Sequence, residues 1–225
     1  LAAAFAAMTL IAWSSAAQAA RFFVENTLGD VTAEQAATLT ETHPVQVLFE
    51  FRTSGAANAR GTEYLAEKIL TQIRESGFFS EVSTNPVEGG AILSVIIDNI
   101  PQADAAQRGF GTGLTFGLLG TSVADYYVAT FGYAPRPDAQ RISNEVRHTM
   151  ITTIGNTREP ENATRARNAN AAIETIMRQL LAHGLNNIAR DPAFPGAIVQ
   201  ALAAEASPSD ATTTEATPVV AAPET

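Results

Sequence analysis

The stretch from Val45 to Ile100 constrains the fold more than any other, because its hydrophobic period changes from two to about 3.6 and back within one short span. Val45, Val47, Phe49 and Phe51 alternate with Gln46, Leu48, Glu50 and Arg52. Successive side chains in a strand point to opposite faces, so this pattern predicts a strand with one apolar and one mixed face. Ser54, Gly55 and Gly61 mark a loop. Thr62 reads as the cap of a following helix, with Glu63 placed near the positive end of its dipole. Leu65, Ile69 and Ile73, flanked by Ala66 and Leu70, make one apolar stripe at helical spacing. Gly77 stops the helix, since glycine takes a left-handed cap without steric cost. Phe78 to Val82 then reads as a short strand, and Asn85-Pro86 and Gly89-Gly90 frame a turn. Ala91 to Ile100 is apolar on both faces and rich in β-branched residues. That is the pattern of a strand in the middle of a sheet, covered at least in part on both sides.

Beyond this unit the period returns to two. Tyr127, Ala129, Phe131 and Tyr133 share one face of Val123 to Tyr133. Ile142, Val146, Met150 and Ile154 share one face of Arg141 to Ile154, interrupted by Asn144, His148 and Thr152. With Pro135 and Pro137 between them, the two segments predict an antiparallel hairpin. From Thr164 to Ala189 the spacing is helical, with Ile173, Ile176, Met177, Leu180, Leu181 and Ile188 in a stripe and Gly184 expected to weaken or end the helix. The fold class that follows is α+β. It is a two-layer α/β sandwich in the order β-α-β-β-(Gly-rich loop)-β-β-α, with a sheet of about five strands and two helices on one face.

The flanks have a different character. Leu1 to Ile11 is almost wholly apolar and Ala17-Gln18-Ala19 is a small-x-small site, so residues 1–19 read as a secretory signal peptide cleaved after Ala19. No basic segment precedes the apolar run, so further residues are expected ahead of Leu1. An uncleaved membrane anchor is the competing reading, and the run is short for a bilayer span. Residues 20–43 read as a flexible N-terminal arm, with a short helix starting in Thr32 to Ala37 the equal alternative, residues 44–191 as one α/β domain, and residues 192–225 as a disordered tail. The tail is dominated by Ala, Thr, Pro and Ser, a composition that cannot bury enough apolar area to offset chain entropy.

Charge and cysteine content narrow the function. The net charge of −9 sits mainly in these flanks, leaving 44–191 at −2, with thirteen basic and fifteen acidic residues. Neither a nucleic-acid footprint nor a polybasic membrane patch is visible. With no cysteine there is neither a disulfide nor a thiol for lipid attachment at the cleavage site. A periplasmic or extracellular protein, stabilised by its core alone, is the expectation, with association at the outer membrane as an option.

Gly77-Phe78-Phe79-x-x-Val82, following an amphipathic helix and preceding a long apolar strand, resembles the small α/β domains of bacterial envelope proteins. The layout is similar to the lipopolysaccharide-assembly lipoprotein and to curli-secretion and TolB-type α/β domains. The Gly-rich apolar run from Gly113 that ends in Asp125-Tyr126-Tyr127 resembles small envelope (lipo)proteins without assigned roles. The resemblance spans Val45 to Ala189 and implies a non-catalytic envelope role. It supplies no site residues, and this chain departs from those lipoproteins in lacking their lipid-bearing Cys.

Chemistry-bearing residues are sparse. His43, His148 and His183 lie far apart in sequence, without the spacing of a zinc pair, and no Gly-x-Ser-x-Gly elbow occurs. Structural roles are the expectation for all three, and no catalytic, metal or cofactor residue is assigned. Asp98 and Asp125 flank the Gly-rich segment, where paired carboxylates could do acid–base work if brought together. Gly109, Gly111, Gly113 and Gly117 do not keep the dinucleotide-binding spacing. The candidate contact surface is the uncharged run 109–120, with Phe110, Gly113, Leu114, Phe116, Gly117, Leu118 and Leu119 as its residues; a glycine-rich surface loop, or an apolar flap over the sheet's open face, is the competing reading of the same run. Glycines four apart allow close backbone approach and the large apolar residues offer a patch. The expected role is a non-catalytic binding or assembly module that meets an envelope protein or membrane surface through this loop, with homo-oligomers an option and nucleic acid excluded. A membrane-active oligomer inserting 109–120 is the first alternative, and an enzyme acting on an envelope substrate the second.

Overall fold

The computed structural model of the chain describes residues 20–102 and 121–197. In chain order the elements are β1 (Arg21–Glu25), β2 (His43–Thr53), β3 (Ala56–Ala57), α1 (Ala59–Glu75), β4 (Phe79–Ser83), β5 (Ile92–Pro101), β6 (Thr121–Ala134), β7 (Ile142–Ile154), β8 (Ala163–Ala166) and α2 (Ala169–Ala189). The strands form one eight-stranded sheet in the order β3-β2-β5-β6-β7-β1-β8, and β4 pairs with β2 off this path. β4, β2 and β5 run parallel, and the rest of the sheet is antiparallel.

The expected sheet of about five strands under two helices is therefore corrected to a mixed sheet of eight. The three additional strands have one physical feature in common: none carries a period-two pattern long enough to read. β1 is Arg-Phe-Phe-Val-Glu, five residues inside the stretch expected to be an arm, and it sits between β7 and β8 with Phe23 and Val24 buried. β3 is two alanines folded back on Arg52 and Thr53. β8 is Ala-Thr-Arg-Ala at the edge of the sheet, where a strand needs no apolar face.

The period-two segments form the sheet's interior. Val45 and Val47 of β2, Leu93, Val95 and Ile97 of β5, Ala129, Phe131 and Tyr133 of β6, and Val146 and Met150 of β7 are buried on one face. α1 packs on β2 and β4, α2 packs on β6, β7 and β1, and the two helices touch each other. α1 buries Leu65, Ile69, Leu70 and Ile73. Its cap is Asn58 rather than Thr62: the Asn58 Oδ1 accepts the Gly61 N–H at 2.9 Å. Thr62 instead ties the helix to β2, its Oγ1 accepting the Phe51 N–H at 2.9 Å. Gly77, at φ +72°, lies just beyond the helix end as its spacing predicted.

α2 does not end at Gly184. The helix runs on to Ala189, and Gly184 is the point where it meets the sheet. A Cβ there would overlap the Phe131 ring, and the Asn144 Nδ2 donates to the Gly184 carbonyl at 3.1 Å. Glycine is present because the backbone itself makes the contact, and the helix accepts the propensity cost.

Candidate functional site

All seven candidate contact residues, Phe110 to Leu119, lie outside the described residues. The structure does place the two ends between which their segment runs. β5 and β6 are paired as far as Pro101↔Asp125, and the Gln102 N–H donates to the Ala124 carbonyl at 3.1 Å. The run thus joins β5 to β6 at one end of the sheet.

At that end the sheet has apolar side chains in the open. Ile100 and Tyr126 are cross-strand partners there, 40% and 43% exposed; Leu48, 48% exposed, is opposite Ser94 toward the other end of the sheet. Strand alternation puts all three on the face opposite Val47, Val95 and Phe131. A cleft of about 530 Å³ opens beside the Ile100–Tyr126 pair, lined by Leu28, Ile100, Tyr126 and Val128 with Glu25 and Arg147. It arises where β1 leaves β7: their pairing stops at Val24↔Met150, so the chain from Glu25 onward diverges from Thr149. Apolar walls with a few charged groups are the usual make-up of a ligand cleft. Burial, with the Asp125 charge adding to it, pushes the Tyr127 phenol far above its ordinary range, so it is a neutral hydroxyl at any physiological pH.

His43 lies apart from the other two histidines, while His148 and His183 both bond toward the stretch around Gly29 and Asp30. His43 is the first residue of β2, and its Nε2 meets the Tyr133 hydroxyl within a cluster of Phe79, Tyr133 and Phe194 rings. Burial lowers its pKa, against a smaller pull from Glu41. His148 is buried between the sheet and α2. Its Nδ1 accepts the Thr149 N–H at 2.8 Å, which assigns the proton to Nε2, and Nε2 donates to the Gln179 Oε1 at 2.6 Å. Gln179 Nε2 passes the chain on to Asp30 Oδ1 at 3.0 Å, and Arg178 closes it as an ion pair with Asp30. Arg178 and Gln179 hold the Asp30 carboxyl below its usual range. His183 donates through Nε2 to the Gly29 carbonyl at 3.3 Å.

These bonds have a structural effect. Together with Asn186, whose Oδ1 accepts the Ala37 N–H at 2.6 Å and whose Nδ2 donates to the Gln35 carbonyl at 2.9 Å, they hold residues 29–37 along α2. Sequence spacing could not reveal this network, because the bonds from α2 to residues 29–37 join positions roughly 150 apart whose types are ordinary on any helix.

Asp98 and Asp125 are not brought together. Asp98 is opposite Val128 and Asp125 opposite Pro101, so they lie on different faces of the sheet. Asp98 accepts the Gly55 N–H at 3.1 Å, closing the β2–β3 turn. Asp125 is half-buried, and burial raises its pKa. Among the described residues no three His, Asp or Glu side chains converge as a metal site would require, and no helix is long and apolar enough to cross a membrane.

No family model and no curated protein matches the chain. Among the solved structures with a faint likeness to the chain are two of note. One is a dodecamer of a PelC variant from Paraburkholderia phytofirmans, at 12% identity over 67% of this chain and 89% of that one, with a TM-score of 0.36. The other is a crystal structure of an uncharacterized protein, at 12% identity over 66% of this chain and 88% of that one, with a TM-score of 0.26. At these scores the likeness carries neither the fold nor the role of either protein to this chain.

Proposed function

We propose that the protein is an exported envelope module that binds or assembles with a partner, and does so through the end of the sheet from which 109–120 departs. One observation carries this reading. Of the four large hydrophobic residues exposed among the described ones, Leu48, Ile100 and Tyr126 share the sheet face opposite the helices, and two of them pair at the β5–β6 end. Exposed apolar side chains gathered on one face mark contact surfaces more often than scattered ones do. The uncharged run with Phe110, Leu114, Phe116, Leu118 and Leu119 extends the same apolar supply in sequence. Export is compatible with the described elements: β1 starts at Arg21, so cleavage after Ala19 leaves every one of them intact.

The test is direct. Tyr126→Asp and Phe116→Asp should each reduce recovery of the protein with envelope material or liposomes, while circular dichroism and the unfolding midpoint stay those of the parent chain. If both variants associate like the parent, the β5–β6 end is not the interface. Mass spectrometry of the exported chain should read a mature N-terminus at Ala20, and an intact apolar leader in the membrane fraction would overturn the export reading.

A further inference from the structure

We propose that the outer edge of β2, between β4 and β3, is a docking groove for a short extended peptide of a partner chain. β4 pairs with β2 only as far as Gln46↔Ser83, and β3 begins at Arg52↔Ala57. Among the described residues, Val47 to Phe51 have no strand on this side.

The direction of the backbone groups follows from their partners. The N–H groups of Gln46 and Ser54 donate to Ala91 and Asn99, so even-numbered residues point toward β5. The carbonyl of Phe51 accepts from Asn58, and its N–H donates to Thr62 Oγ1, so odd-numbered residues point outward. The N–H and C=O of Phe49 therefore face the gap, and they meet no protein partner among the described residues. β4 and β3 show what satisfies this edge elsewhere: another strand.

The gap has the dimensions of a peptide site. Six residue steps from Gln46 to Arg52 span about 20 Å, room for roughly five residues of extended chain. A groove of about 480 Å³ lies along it, with Ala66 and Leu70 of α1 as an apolar wall, Thr84 at one end, and Leu48 and Ile96 on the open side. An added strand would place alternate side chains against Ala66 and Leu70, which sets its chemistry: backbone N–H and C=O for affinity, and small or branched apolar side chains at every second position for selection. A globular ligand without an extended backbone would leave the Phe49 groups unpaired. The groove is on β2, away from the Ile100–Tyr126 pair, so either assignment can fail alone.

A displayed library of randomised pentapeptides is panned against the full chain and against Ala66→Trp, which fills the groove from α1. Ala66→Lys, whose head group reaches water, replaces it if the tryptophan variant does not fold. The expected result is a set of alternating apolar peptides enriched on the parent chain and lost on the variant. Binding of a selected peptide should slow hydrogen exchange at the Phe49 amide by about tenfold or more, the effect of one added hydrogen bond. N-methylation of the peptide residue that donates to the Phe49 carbonyl should abolish binding and, with it, that protection. The proposal is overturned if no peptide separates the parent from the variant. It is equally overturned if the Phe49 amide is already protected in the free chain, because another part of the molecule then occupies the edge.

Discussion

Gly184 and His148 show how single residues decide the packing of α2. Gly184→Ala should destabilise despite alanine's better helix propensity. The space an added Cβ would need is taken by three atoms of the Phe131 ring. Overpacking of this kind costs about 1–3 kcal/mol against a gain of about 1 kcal/mol from leaving glycine. A urea midpoint that moves down tests it, and an upward shift would show that the ring yields. His148 sets a pH dependence. Burial, the larger effect, holds its pKa below the ordinary value of 6.5, while the Gln179 hydrogen bond pulls the other way. The unfolded chain therefore takes up this proton more readily than the folded one. Stability contributed by neutral His148 is complete above pH 6.5 and lost as pH falls toward the folded-state pKa. His43 acts with the same sign. Urea unfolding at about pH 7 and about pH 5 should show the parent chain losing stability on acidification and His148→Gln losing less. Equal slopes would show that His148 is not the group that titrates.

Among the elements, α1 and β2 were the most legible and their junction the least. The stripe of Leu65, Ile69 and Ile73 predicted which face of α1 is buried, and Gly77 predicted its end. The start was misread because Asn58 and Thr62 are both competent caps, and local sequence does not say which of them faces the first turn. In the fold Thr62 is committed to Phe51, leaving Asn58 to cap. Asn58→Ala should cost about 1 kcal/mol, read as a lower urea midpoint with unchanged slope. β8 and β1 were not legible because short strands borrow stability from neighbours and need no periodic pattern of their own. Of the proposed contact surface, the 109–120 run is legible in composition, whereas the exposed Ile100–Tyr126 pair at its base depends on register, which no local pattern of either strand states.

For the whole molecule the decisive feature is where the N-terminal segment goes. β1 lies between β7 and β8, and residues 29–37 lie along α2 through Asp30, Gln35 and Ala37. A chain beginning at His43 should therefore lose cooperative unfolding, because it leaves the β7 edge open and removes buried Phe23 and Val24. Near-ultraviolet dichroism and amide dispersion would read this. A truncated chain that unfolds like the parent would show 20–43 to be an arm after all.

Local chemistry in the sequence determined the central β-α-β-β unit, the β6–β7 hairpin and the long C-terminal helix, since each long amphipathic segment carries its own period of two or 3.6. It also determined that no dense set of ligating or nucleophilic residues lies close together along the chain. Tertiary structure alone decided the strand count, the burial of β1, the role of Gly184, the separation of Asp98 from Asp125 and the stretch of β2 that meets no other strand among the described residues. Each of these depends on which residues distant in sequence become neighbours, and the free energy that selects those neighbours comes from the whole core rather than from any window of the chain.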